Sequence, residues 1–235
     1  MRTVNVGGIG ELPYAMEEAV NRLRINIGFL GEEIRKIMVI STLPNEGKSL
    51  VSMHIWRQMA VAGVDTVLLD VDMRKSVIKD VHKLEPVNSN EKLYGTTNYL
   101  SGEVSLDQAL YHTQFEHGDL MFNMENAVNP SIMLESSRFT KLLDELSEKY
   151  RYVFLDSPPL NLVSDGERIG SQCDGALLVI RAGFTPTSVV KASIAQLERA
   201  NCPVLGVVLN RADGSKGGYY TKKYGGYGYG YYGGA

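Results

Sequence analysis

An apolar run at residues 37–41 passes directly into TLPNEGKS at residues 42–49 and then into a helical stretch from 50 to about 62, and nothing else in the chain restricts its fold so tightly. A strand, a glycine-containing loop and a helix in that order make a P-loop. Its successive backbone N–H groups and the helix N-terminus cradle a β-phosphate, and Gly47 permits close approach. Lys48 neutralises charge on the β and γ oxygens, and Ser49 is a ligand for Mg²⁺. Asn45, Glu46, Gly47, Lys48, Ser49 and Leu50 are the nucleotide-binding candidates of this loop. The first glycine usual in such loops is replaced by Thr42.

Five further runs rich in Val, Ile and Leu, at 66–70, 120–124, 152–156, 176–180 and 204–209, alternate with longer helical stretches. They read as buried parallel strands. Phe139, Leu142, Leu143 and Leu146 repeat at i, i+3, i+4, i+7, and Val190, Ile194 and Leu197 nearly so, which marks core faces of two helices. Asn129-Pro130 and Thr185-Pro186 each set a capping side chain before a proline at the first helical position. The pattern predicts an α/β fold, a doubly wound, mostly parallel sheet with helices on both faces and ligands at its carboxyl edge. Residues 75–95 are polar and irregular and read as a long surface loop. Residues 16–30 carry Val20, Leu23, Ile27 and Leu30 at helical spacing, a helix that packs on its own domain or on a neighbour. Three regions follow: a helical segment at 1–35, a P-loop domain at 36–215 and a tail at 216–235.

The second run continues as VLLDVDMR, and period-two geometry puts Asp70 and Asp72 on one side of its carboxyl end, facing the phosphate crevice. Such a pair suits metal binding and activation of an acceptor hydroxyl. The run YVFLDSPP ends in Asp156, placed as a Walker B carboxylate for Mg²⁺. A tyrosine hydroxyl, with an ordinary pKa near 10, needs a carboxylate to take its proton as it attacks phosphorus, and either Asp70 or Asp72 is placed to do so.

The acceptors are at the other end of the chain. Residues 217–235, GGYYTKKYGGYGYGYYGGA, hold eight glycines and seven tyrosines: Tyr219, Tyr220, Tyr224, Tyr227, Tyr229, Tyr231 and Tyr232. No heptad or alternation organises these rings into a core face, so the segment reads as a mobile set of phosphoacceptors.

Composition removes other classes. A net charge of -3 and pI near 5.9 make no case for nucleic acid, although Arg211, Lys216, Lys222 and Lys223 give local basic character. Two cysteines, Cys173 and Cys202, have neither disulfide-framework nor metal spacing, which suits a reduced, cytosolic protein. His54, His82, His112 and His117 show no triad. Neither a signal peptide nor a membrane-length apolar run is present, so membrane association is expected through a partner.

In their order, TLPNEGKS, VLLDVDMR, VFLDSPP and the tyrosine cluster resemble the Walker A, Walker A′ and Walker B motifs and tail of the bacterial tyrosine kinase (BY-kinase) family, over nearly the whole chain. These are P-loop kinases of capsule and exopolysaccharide export systems. The resemblance implies ATP and Mg²⁺ as cofactors, with Lys48 and Ser49 on the phosphates and metal, Asp70 and Asp72 serving metal and catalysis, and Asp156 serving metal. It implies autophosphorylation of the tail in trans. It makes Asn210, in VVLNR, a candidate for adenine contact. The family's N-terminal E-x-x-R-x-x-R motif is matched in EAVNRLR by Glu18 and Arg24, with Asn21 in the middle arginine's place and Arg22 beside it. That implies a ring-shaped homo-oligomer when unphosphorylated. The implied partners are a transmembrane polysaccharide co-polymerase-like adaptor, whose cytosolic tail activates the kinase, and a cognate tyrosine phosphatase. The implied location is cytoplasmic, recruited to the inner face of the membrane. A Min/Par-type positioning ATPase shares such a fold but carries a signature lysine where this chain has Leu43. A non-catalytic nucleotide-gated scaffold is the remaining alternative.

Overall fold

The computed structural model describes residues 2–88 and 91–212, which form one α/β domain. Its sheet has nine strands: β1 (Arg2–Val6), β2 (Lys36–Ser41), β3 (Thr66–Asp70), β4 (Leu84–Pro86), β5 (Tyr111–His112), β6 (Gly118–Met121), β7 (Tyr152–Asp156), β8 (Gly175–Arg181) and β9 (Val204–Asn210). They lie in the order β4-β1-β5-β6-β3-β7-β2-β8-β9. From β6 to β9 every neighbouring pair is parallel, while β5 pairs antiparallel with β6 and β4 with β1. The doubly wound architecture follows from strands such as VLLD and VFLD, which are buried on both faces and need helices to cover each.

The helices supply that cover. On one face α1 (Tyr14–Gly28) lies over α2 (Lys48–Val61), with Met53, Ile55, Trp56 and Met59 of α2 fully buried against Ile37, Val39, Leu68 and Phe154. On the other, α7 (Ser137–Lys149) sets Phe139, Leu142, Leu143 and Leu146 into the core, as its spacing predicts. Beside it α9 (Thr187–Arg199) adds Val190, Ile194 and Leu197. Gly118, which opens β6, is a close-approach glycine. A Cβ there would lie 2.9 Å from both the Trp56 ring and Ala60.

Several expectations are corrected. Residues 2–6 are not helical: Val4 and Val6 point inward from a strand whose polar residues alternate outward, and β1 pairs with β4 and β5. The helix expected at 16–30 forms as α1 and packs on its own domain, through Val20, Leu23 and buried Ile27. The loop expected at 75–95 contains α3 (Ile78–Val81) and β4, because Ile78 and Leu84 are buried anchors among polar neighbours. The run expected at 120–124 begins two residues earlier, and Asp119 within it is buried, accepting from the Tyr150 hydroxyl and standing 2.7 Å from His112 Nδ1. Pro130 does open α6 (Pro130–Glu135), but the Asn129 side chain makes no capping bond. Pro186 precedes α9 instead of opening it, and Thr185 turns its hydroxyl to Glu46. Cys173 and Cys202 are free and buried, and burial pushes the Cys202 thiol up to about 12.

Two histidines carry a pH prediction. Burial lowers the pKa of His54 on α2, with His82 and Arg57 adding to the effect and Glu17 opposing it. Burial likewise lowers that of His82, which follows α3, and the Gly8 backbone offsets only part. The fold therefore keeps both rings neutral where an unfolded chain takes up protons near pH 6.5. Stability is present above that value and is lost as pH falls from about 6.5 toward the lower folded values. Thermal midpoints at pH 7.5 and 5.5 should differ less for His82→Leu than for wild type. An equal difference would clear His82 as a source of the acid loss.

Candidate active site

The parallel strands deliver their carboxyl ends to a cavity of about 720 Å³, lined by the loop after β2 and the first turn of α2, by residues after β3 and β7, and by Arg181 and Arg211 at the ends of β8 and β9. The phosphate loop turns through Asn45 and Gly47, with φ of 62° and 93°. Glycine takes that conformation without strain, and asparagine tolerates it better than most residues. Glu46 does not offer its carboxylate to the cleft. The side chain is 1% exposed and turns beneath the loop, accepting from Leu43 N at 2.7 Å, Arg181 N at 3.2 Å and the Thr185 hydroxyl. Glu46 itself lines no part of the cavity.

Asn210 ends β9 and leans on the same loop. Its Nδ2 donates to the Glu46 carbonyl at 2.8 Å and its Oδ1 accepts from Arg211 N at 2.8 Å. At the start of α2, Lys48 Nζ lies 3.1 Å from Asp72 Oδ2, 3.5 Å from Asp156 Oδ2 and 3.2 Å from Ser49 Oγ. Ser49 donates to Asp156 Oδ2 at 2.6 Å, and Ser52 to Oδ1 at 3.0 Å. Leu50 stands 39% exposed on the cavity wall.

This arrangement holds one cation among three buried carboxylates. Burial works against the Lys48 ammonium, but Asp156, then Asp72 and Asp70, outweigh it and raise its pKa. Burial raises that of Asp156 against the pull of Lys48, Ser49 and Ser52. Burial, reinforced by Asp156, pushes the Asp70 carboxyl up to about 7.

The two aspartates of the second motif separate. Asp72 lines the cavity, whereas Asp70 is fully buried behind it, accepting from Asp72 N at 3.1 Å, Asn123 N at 3.3 Å and the Ser76 hydroxyl. The expectation that both face the crevice fails because β3 ends at Asp70, and the turn that follows does not continue its alternation.

Composition and spacing passed over Arg74. Its Nε donates to Asp165 Oδ2 at 2.6 Å and its Nη2 to Oδ1 at 3.1 Å, and Ser131 also donates to Asp165. Asp165 is buried at the start of α8 (Asp165–Gly170), so Arg74 is held at the cavity wall beside Asp72 by a charge-assisted fork. The one local signal was its place closing VLLDVDMR.

Glu18, Arg22 and Arg24 stand on α1 and line no part of this cavity; Arg24 donates to Asn21 Oδ1 within the helix. Tyr219, Tyr220, Tyr224, Tyr227, Tyr229, Tyr231 and Tyr232 lie outside the described residues. Among the described residues, no helix is long and apolar enough to cross a membrane.

A phosphate loop between parallel strand and helix, with its lysine set between strand-end carboxylates, defines a nucleotide-binding protein of the P-loop class. The septum site-determining protein MinD of Pyrococcus horikoshii shares this fold, with a TM-score of 0.64, 21% identity, and coverage of 78% of this chain and 72% of that one. No family model matches the chain. The kinase domain of the Escherichia coli tyrosine kinase ETK superposes with a TM-score of 0.74 at 26% identity, covering 92% of this chain and 80% of that one. The tyrosine-protein kinase CpsD of Streptococcus pneumoniae is 35% identical over 218 residues, 92% of each chain. The chain belongs to the bacterial tyrosine kinase family and is a protein-tyrosine kinase.

Proposed function

We propose that the chain transfers the γ-phosphoryl group of ATP to the tyrosines of its own C-terminal cluster, in trans, and thereby regulates capsular or exopolysaccharide polymerisation and export. The observation that carries this reading is the Lys48 ammonium poised at the phosphate loop between Asp72 and Asp156. On arrival of the nucleotide, Lys48 moves onto phosphate oxygens, and its departure frees Asp72. Asp72, which fronts the cavity, then accepts the tyrosine proton. Asp70 supports it from behind through the bond from Asp72 N.

The donor set fits Mg²⁺. Ser49 and Asp156, with Asp72 beside them, supply hard oxygen ligands, and among the described residues no three or more His, Cys, Asp or Glu form a metal cage of their own. Mg²⁺ commonly takes one or two carboxylates and completes its shell with substrate phosphates and water. When bound it neutralises charge developing on the phosphate oxygens. The base end of the nucleotide falls on the β8–β9 side, near Arg181, Arg211 and Asn210. The family resemblance makes Asn210 the adenine contact, and its amide is held beside the phosphate loop by the Glu46 carbonyl and the Arg211 N–H.

Arg211 lines the cavity, and Tyr219 comes eight residues later. Eight residues span at most roughly 26–29 Å, so the chain's own cleft and a neighbour's are both within reach. Trans transfer rests on the family resemblance and on a ring-shaped homo-oligomer of unphosphorylated chains, to which Glu18, Arg22 and Arg24 of α1 contribute. A transmembrane adaptor's cytosolic tail brings the kinase to the inner membrane face and activates it, and a cognate phosphatase resets the tyrosines.

The test is ATP-dependent phosphotyrosine formation by purified protein with Mg²⁺, with and without an adaptor peptide, over a range of protein concentrations. Specific activity should rise with concentration; a flat profile would assign transfer to the chain's own tail. ATP hydrolysis without phosphotyrosine, even with the adaptor peptide, would replace the kinase reading with that of a positioning ATPase.

A further inference from the structure

The strand order lays the cleft out in a line. Arg181 ends β8 and Arg211 follows β9 on one side, the phosphate loop follows β2 in the middle, and the carboxylates and their loops lie at the ends of β7 and β3 on the other. With phosphates on the central loop and the base toward β8 and β9, the transferred group points toward β7 and β3. An acceptor must approach from there.

That side of the cavity carries an apolar strip beside Asp72, Arg74, Lys75 and His82. Val77 and Val81, four residues apart around α3, line it together with Pro158, Leu162 and Val163 from the segment after β7. Val77, Val81 and Leu162 are 36%, 56% and 63% exposed, so these loops leave uncovered a surface that bare phosphate chemistry does not require. Asp72 lines the same cavity.

We propose that this apolar strip is the acceptor slot: a tyrosine ring enters between the Val77–Val81 face and the Pro158–Leu162 segment, with its hydroxyl directed to Asp72. The occupant is a glycine-flanked tyrosine of the 219–232 segment from a second copy. In that segment Tyr227 and Tyr229 each have glycine on both sides, and most of the other tyrosines have glycine on at least one. Such a sequence offers a slot little besides phenol rings and backbone, and apolar walls above a carboxylate recognise a ring and its hydroxyl. This inference rests on the kinase reading above and names which residues select its substrate.

The experiment uses the full chain and a free acceptor peptide with the sequence of residues 224–234, YGGYGYGYYGG. Val81→Asp and Leu162→Ser should each raise the acceptor KM by about tenfold, with MgADP titration verifying that the nucleotide half is folded. Val128→Asp, at an exposed apolar side chain outside this cavity, should not. If Val81→Asp fails to bind MgADP, the near-isosteric Val81→Thr replaces it, with a rise of about threefold expected. On the wild-type protein, the same peptide with every tyrosine changed to phenylalanine should compete with the acceptor, and the serine version should not. Unchanged KM values in the slot variants, or absence of competition by the phenylalanine peptide, would overturn the slot and leave the kinase reading standing. A wild-type protein that phosphorylates no tyrosine would overturn both.

Discussion

Lys48→Met is expected to leave about one per cent or less of wild-type phosphotyrosine formation, the scale on which loss of one preorganised charge-stabilising group acts. The effect has two sources. Methionine offers no donor to the β and γ oxygens, and it leaves Asp72 and Asp156, both buried, without the cation that lies 3.1 and 3.5 Å from them. Removing one partner of a buried ion pair costs about 3–5 kcal/mol at most, and the neighbouring carboxyls can soften this by taking up a proton. Folding and chemistry are separable: Lys48→Met/Asp72→Asn should recover much of the lost stability and none of the activity. Phosphotyrosine near wild-type levels in Lys48→Met would show that the ammonium does not act on the transferred group.

Gly47→Ala should be nearly as damaging for a different reason. At φ of 93° a side chain is strained, and the new Cβ would lie 2.1 Å from Asn210 Nδ2. Either the phosphate loop opens or the Asn210 amide leaves the Glu46 carbonyl, and both disturb the N–H groups that receive the phosphates. Loss of MgADP affinity by about a hundredfold is expected, of which roughly 1–2 kcal/mol, or about tenfold, is backbone strain and the rest is collision. Measured against Asn210→Ala, which loses its own loop contact, Gly47→Ala should therefore cost only about tenfold. A hundredfold cost in that background as well would mean that collision with Asn210 plays no part.

The central strands were legible because burial on both faces writes continuous apolar runs such as VLLD and VFLD. The peripheral strands were not. β5 has two residues and β4 three, and RTVNV of β1 alternates over a span too short to separate from a polar N-terminus. At the site, the P-loop and the three carboxylates were readable from local order, and the structure brings Lys48, Ser49, Asp72 and Asp156 together. What escaped is the scaffold that holds them. Glu46 meets Thr185 across 139 residues and Arg74 meets Asp165 across 91, distances at which no periodicity in one sequence carries information. Thr185 was a sound capping candidate by composition, but a buried carboxylate competed for its hydroxyl. Asp70 and Asp72 were paired by strand geometry that stops at the first of them.

The place of β9 also has a mechanical consequence. Among the described residues this strand pairs with β8 alone, ends in Asn210, and is followed by the C-terminal segment. A pull on that segment is therefore carried along β9 as shear against β8. Among the described residues, the first side-chain link under load is the amide of Asn210 on the Glu46 carbonyl. Tension applied at the chain's end thus arrives at the phosphate loop before it reaches the middle of the sheet, so whatever grips the tail also has a lever on the grip around the nucleotide.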